Sequence, residues 1–328
     1  MNFNFLLLTL LSFFWMSCDS SSHEEDFGLK RISITMDAED LGELNNSYQA
    51  KRPFAARVDF NGRVYRGKVN YAGKSTIDAF KKSLHLTFNK PVFFGRSSIR
   101  LSSQNVDDSL LRSLLGFKVF GMAGLMVPKV EPVAIYLNQK YMGLYQMIEP
   151  VDMEFFQVRG ESPLDLYKAK FANANFGPEY LGQLDDAYTV RIKPKSASAI
   201  RYLWELAIRE DEASYDELEK ILDIENYLNY VAAAVILKHW DGFDNNYFLA
   251  RMQDGRFRIV PWDLDRIYEA FFLSNLSYLG SNNLTAKLLE KEKCLSRYLE
   301  ILEEQIARVE AEGLGGKIDQ WGARIGRA

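Results

Sequence analysis

The stretch from His239-Trp240-Asp241-Gly242-Phe243-Asp244-Asn245-Asn246 through Asp254-Gly255 to Pro261-Trp262-Asp263-Leu264-Asp265 decides how this chain is read. Tyr247 to Met252 and Arg256 to Val260 are strand-like on either side of Asp254-Gly255, so four Asp and two Asn stand at the open end of one hairpin. Carboxylates in that number beside Trp and Pro are costly to bury unless they bind a cation or share protons. Hard oxygen ligands without a neighbouring His or Cys pair point to Mg²⁺ or Mn²⁺ rather than zinc. With Asp254-Gly255 as a two-residue type I′ loop, Gln253 pairs with Arg256, Arg251 with Arg258 and Phe248 with Pro261. Extending that register puts Asn246 opposite Asp263, with Cα atoms about 4.5–5.5 Å apart.

Outward from this unit, Tyr227 to Leu237 before it is apolar almost all round and reads as a buried helix capped by Asn226. Leu284 to Val309 after it reads as one long amphipathic helix, with Cys294 as a buried thiol. The first half is strand-like. Ile32 to Met36, Phe54 to Phe60, Val64 to Tyr71 and Leu84 to Phe88 alternate, and Asn61-Gly62 is a hairpin turn. Val133 to Leu137 and Leu144 to Ile148 form a second hairpin through Asn138 to Gly143. Asp107-Asp108-Ser109 offers cap chemistry for a helix carrying Leu111, Leu114, Leu115 and Val119. Asn173 to Asp186 reads as loop. The expected class is α+β, with a sheet-rich lobe over about 30–150 and a mainly helical lobe over 151–328.

The N-terminus is a targeting segment. Phe5 to Trp15 is too short to span a bilayer and fits the apolar region of a signal peptide. Ser17-Cys18 and an acidic polar run follow, which resembles a bacterial lipoprotein signal. The expected organisation is a signal peptide over 1–17, a lipidated Cys18, and a polar tether over 18–29. That places the domain at residues 30–328, in the bacterial cell envelope, held to the membrane by a lipid anchor on the periplasmic or cell-surface side. The chain has 328 residues, 40 Lys and Arg against 44 Asp and Glu, two Cys and three His. Charge near balance argues against a nucleic-acid partner, and two cysteines exclude a disulfide scaffold. Gly67 to Ser75 has the tail of a phosphate-binding loop, but five residues separate its glycines and no helix follows.

His239-x-Asp241 with Asn246 five residues on, and Asp263 one strand pair later, follows the order of the protein-kinase catalytic loop and metal-binding Asp. The chain resembles the CotH kinase family, the spore-coat-type atypical protein kinases, over about residues 55 to 310. The resemblance rests on Gly73-Lys74-Ser75-Thr76, Phe80-Lys81-Lys82-Ser83-Leu84, Asn138 to Glu149, Leu166-Tyr167-Lys168, Asp241 with Asn246-Tyr247-Phe248-Leu249, and Pro261 to Asp265. It implies an atypical protein-kinase-like fold that moves the γ-phosphate of ATP to a protein Ser/Thr hydroxyl with Mg²⁺ or Mn²⁺. It implies Asp241 as the catalytic carboxylate and Asp263 and Asn246 as metal ligands, with Asp265 beside them. Lys82 and Lys168 are then phosphate contacts, and Glu149 the partner that orients a lysine. His239 holds the loop backbone. One position departs from the family, which carries Arg where this chain has Ala72.

Other readings stand beside these. Lys81-Lys82 also suits a solvated pair on a sheet edge, and Glu149 to Asp152 a plain helix start capped by Asp152. The chain as a whole also fits a binding or structural lipoprotein that kept the fold, or a metal-dependent phosphate-ester hydrolase.

Overall fold

A computed structural model describes residues 25–73, 76–170, 173–192, 198–269 and 281–326. Cys18 and the expected signal peptide over 1–17 lie outside the described residues, as do Lys74 and Ser75. The expected tether is already folded at its end: β1 (Glu25–Asp26) pairs antiparallel with β2 (Leu29–Thr35). Strands β3 (Phe54–Phe60), β4 (Arg63–Ala72), β5 (Ser83–Phe88), β6 (Ser98–Ser102), β7 (Val130–Leu137) and β8 (Lys140–Ile148) extend it in the order β1-β2-β3-β4-β5-β6-β8-β7. All neighbours are antiparallel except β2 and β7, whose parallel pairing closes the sheet on itself. Closure removes the exposed edge rows that an open sheet must protect.

Alternation sets the inside of this closed sheet. Phe54, Ala56, Val58 and Phe60 are buried, while Ala55, Arg57 and Asp59 between them are exposed. Ile32, Ile34, Val69, Leu84, Leu86, Ile99, Leu101, Val133 and Ile135 complete the interior core, and helix α1 (Ala38–Asn46) adds Leu44 to it. Asn61 and Gly62, both with positive φ, turn β3 into β4 as expected. The second hairpin is tighter than the sequence suggests. Asn138 and Gln139, at φ of 46° and 67°, form the whole loop, and a bulge beside Tyr136 takes up Met142 while Gly143 pairs with Ile135.

The second half is helical, but it contains a second sheet. Strands β9 (Asp165–Ala169), β10 (Tyr188–Ile192), β11 (Tyr247–Arg251) and β12 (Phe257–Pro261) run antiparallel in the order β10-β9-β11-β12. Helix α2 (Arg112–Met122) leaves the first lobe and packs Phe117, Val119 and Phe120 into the second core. The apolar helix spans Ile224–Ile236, and its cap is Asp223, which accepts from Asn226 N at 3.0 Å. Asn226 instead lies in the first turn, where its side-chain oxygen accepts from Ile259 N at 2.8 Å and ties the helix to β12. The long C-terminal helix is two helices, Asn283–Leu289 and Glu292–Ala311, broken where Lys291 is extended. Cys294 is buried, 2.7 Å from the Tyr215 hydroxyl.

Candidate active site

The segment that carries the candidate site leaves the apolar helix through Lys238, whose φ of 52° reverses the chain. Trp240–Phe243 then make one short 3₁₀ turn. Gly242 is required there, since a Cβ would stand 2.3 Å from the His239 ring and 2.6 Å from the Tyr230 hydroxyl. That hydroxyl donates to Gly242 O at 2.7 Å. His239 is buried, and its ring donates to the backbone of Asn246. Its Nε2 has no partner among the described residues, which leaves Nδ1 as the donor. Burial pushes the imidazole down to about 4, against the opposing pull of that hydrogen bond and of Asp263. His239 is therefore neutral at physiological pH and braces the loop, as the sequence implied.

The hairpin register differs from the expectation by one residue. Tyr247 pairs with Pro261, Phe248 with Val260 and Arg251 with Phe257. Met252 N donates to Arg256 O at 2.9 Å and Gly255 N to Met252 O at 3.0 Å, so the loop is Gln253-Asp254-Gly255. Gly255, at φ 83°, takes the left-handed third position of a bulged three-residue turn rather than the second position of a two-residue one. Asn246 consequently faces Trp262, whose N–H donates to Asn246 O at 3.0 Å, and Asp263 lies one residue beyond.

The two metal candidates still converge. Asn246 Nδ2 is 3.5 Å from Asp241 Oδ2 and 3.5 Å from the Asp263 carbonyl oxygen. Asn246 and Asp263 both hold left-handed backbone, at φ of 48° and 57°. Asn and Asp tolerate that region better than most residues, and two such positions flanking one strand pair mark a backbone shaped for a site. Leu264 between the acids packs on Gly116 of α2, where a Cβ would come within 2.7 Å of it. Arg112 Nη1 donates to Asp265 O at 3.3 Å, so α2 also holds the far end of the segment.

Negative charge accumulates here. Burial lifts Asp241 above the ordinary carboxylate range, with Glu269 and Asp263 adding to it against Arg266. Burial and then Asp241 lift Asp244 to about 6. Asp265 is raised by burial first and Asp263 second. Among the described residues no group of three or more His, Cys, Asp or Glu side chains could cage a metal unaided. An Asp and an Asn completed by substrate phosphate is the way Mg²⁺ is usually held beside a nucleotide. The clustered acids and the unpartnered buried Trp262 Nε1 fit a site completed by a cation and a polar ligand.

The remaining expected residues separate. Lys168 on β9 opposes Phe248 of β11, with its amine 5.4 Å from the Trp262 ring centre, beside the hairpin. Lys82 does not join it. Its amine donates to Ile77 O at 2.8 Å and Ala79 O at 3.0 Å and lies 4.1 Å above the Tyr48 ring. It lines a cavity of about 300 Å³ with Leu41, Asn45, Tyr71, Leu84 and Tyr145, a lining that does not include Asp241. Nor is the pair solvated, because Lys81 Nζ bonds Leu144 O. Glu149 is fully buried and orients no lysine side chain through any described contact. Its oxygens accept from Arg96 Nη1 at 2.9 Å, Arg159 Nη2 at 2.6 Å and Lys129 N at 3.1 Å. Asp152 caps the next helix, as its alternative reading had it. Arg112 was missed, though Asp107 five residues earlier gave a signal: that carboxylate accepts from Arg112 N at 2.8 Å.

A buried His before an Asp–Asn pair, with a strand-end Asp beside them below a closed sheet, is the arrangement of a kinase-like α+β protein. The chain belongs to the CotH kinase family: the family model described as CotH kinase protein matches residues 69–328. It is 27% identical over 285 residues to inner spore coat protein H of Bacillus subtilis (strain 168), covering 81% of this chain and 78% of that protein. Among solved structures it is similar to a chain of the Shewanella oneidensis MR-1 toxin–antitoxin complex of HipA, HipB and operator DNA. That likeness has a TM-score of 0.26 at 15% identity and covers 70% of this chain and 57% of that one.

Proposed function

We propose that this protein is an ATP- and divalent-metal-dependent phosphotransferase acting on a protein Ser/Thr hydroxyl in the bacterial cell envelope. The observation that carries the reading is the Asn246 amide, 3.5 Å from both the Asp241 carboxylate and the Asp263 carbonyl. Asp263 and Asn246 would hold the metal, and Asp265 stands next to them. When bound, Mg²⁺ or Mn²⁺ neutralises phosphate charge as the γ-phosphoryl group leaves. Asp241 orients the acceptor hydroxyl and accepts its proton, a role its raised affinity for a proton suits. Asn246 keeps that carboxylate in place, while His239 fixes the Asn246 carbonyl. Lys168 offers a cation to the phosphates.

Membrane attachment through Cys18 would hold the enzyme where exported acceptors pass. A binding role without turnover is the second reading, favoured by the withdrawal of Lys82 and by Ala72 at the family's Arg position. Incubation of the purified protein with γ-labelled ATP, Mn²⁺ or Mg²⁺ and a generic protein acceptor tests the choice. Label on protein supports transfer, label only in free phosphate supports hydrolysis, and none at all supports binding alone.

A further inference from the structure

The helix Glu292–Ala311 carries a core-facing row and, beside it, a second apolar row. Cys294, Tyr298, Ile301 and Gln305 face the core, where Gln305 Nε2 donates to Asn229 O at 3.1 Å. The second row is Leu295, Leu299, Leu302, Ile306 and Val309, at spacings of four, three, four and three residues. That spacing keeps side chains on one line for about four turns, the pattern of a helix that packs lengthwise on another helix. Leu302 and Val309 lean on the second core, but Leu295, Leu299 and Ile306 keep 36%, 47% and 43% of their surface in solvent. Single exposed apolar side chains are ordinary, whereas a row of them in heptad register is a contact surface.

Charge says what the surface contacts. At 100° per residue, Glu292, Glu303 and Glu310 fall within about 40° of Leu299 and border the row on its solvent side. All three are exposed, and among the described residues none makes a side-chain hydrogen bond or ion pair. The acids farther round the same helix are neutralised: Glu300 and Glu304 accept from Arg297, and Glu304 also from Arg308. The helix therefore supplies cations to the acids away from the row and none to those that flank it. Residues flanking an apolar row set partner choice, and an acidic edge selects a basic one. No Lys or Arg of this helix borders the row, so a second copy of the chain would bring these acids no counter-charge from it, and an antiparallel copy would set acid against acid.

We propose that the row from Leu295 to Val309 is a docking surface for another protein, received as an amphipathic helix with aliphatic side chains at heptad spacing and Lys or Arg along its edges. The inference stands on the helix alone and does not depend on the phosphotransferase reading.

The probe is a synthetic helix with Leu at heptad positions a and d and Lys at e and g, and its control is the same helix with Glu in place of Lys. Both are titrated by fluorescence anisotropy into the full protein, into the double variant Leu299→Asn with Ile306→Asn, and into the double variant Glu303→Lys with Glu310→Lys. The parent should bind the Lys helix in preference to the Glu helix, and more weakly as salt rises. The apolar double variant should bind about tenfold or more weakly. The charge-reversed variant should prefer the Glu helix, a change of order that misfolding does not produce. All four positions are exposed, so melting temperatures should stay near the parent's. Equal affinity of the parent for the two helices, undiminished affinity in the apolar variant, or no binding of either helix would refute the surface. Sedimentation of the parent alone supplies the last arm: a dimer that the apolar double variant converts to monomer would put a second copy on the row and overturn the proposal.

Discussion

The neutral ring of His239 donates to the backbone carbonyl of Asn246, the same oxygen that receives the Trp262 N–H at 3.0 Å. One carbonyl therefore joins the start of the His239–Asn246 loop to the strand that delivers Asp263. The left-handed backbone at Asn246 and Asp263 is what this shared acceptor holds in place. The geometry of the candidate site is a property of that peptide network as much as of the acidic side chains.

Asp241→Asn should leave the fold and nucleotide binding close to the parent's while lowering phosphate transfer by about 10²–10⁴-fold, since an amide cannot take the acceptor's proton. Single-turnover labelling with bound nucleotide measures this. A variant with near-parental turnover would remove Asp241 from the mechanism.

Asp263→Ala should abolish the rise in melting temperature that Mn²⁺-ATP produces, because a ligand stabilises only as far as it binds the folded state. Thermal shift with and without metal reads it directly. An unchanged shift would take Asp263 out of the metal site.

Lys82→Met should keep Mg²⁺-ATP affinity but destabilise the fold by about 1–2 kcal/mol, through the loss of two hydrogen bonds that hold the Ile77–Ala79 turn. Lys168→Met should do the reverse, weakening ATP with little effect on melting. Parallel titration and denaturant unfolding of the two variants decide it, and a Lys82 variant that loses ATP would restore the role first expected of it.

Glu149→Gln should destabilise by about 3–5 kcal/mol at neutral pH, since it leaves Arg96 and Arg159 short of a buried counter-charge. Burial alone would raise the carboxyl of Glu149, but Arg159, the Lys129 N–H and Arg96 together bring it below its ordinary value of 4.5. A lowered folded-state pKa means stability that is present above the ordinary value and lost as pH falls toward the folded one. The parent should therefore weaken as pH drops below about 4.5, and the variant should show a shallower decline. Equal acid slopes in urea unfolding would show that folding does not hold the Glu149 carboxyl below its ordinary value.

Local chemistry was legible wherever a residue's role depends on near neighbours. Asn61-Gly62 turned as read, and the apolar helix before His239 is buried as read, because both signals lie within a few residues. Asp254-Gly255 misled by one register position: the same dipeptide serves a two- or a three-residue loop, and only cross-strand packing selects between them. Lys82 is the exception among near neighbours, because its acceptors are the backbone carbonyls of Ile77 and Ala79, which leave no mark in the side-chain pattern, and Glu149 could not be placed because Arg96 reaches it from a distant part of the chain. Strands β9 and β10 went unread because five residues without clean alternation give too short a pattern.

The central claim is tested most directly by following label from γ-labelled ATP onto protein with the parent, Asp241→Asn and Asp263→Ala, each with Mn²⁺ and with chelator. Metal-dependent labelling by the parent, lost in both variants while they remain folded, is the predicted result. Labelling that persists in either variant, or that is equally strong without a divalent metal, would contradict it.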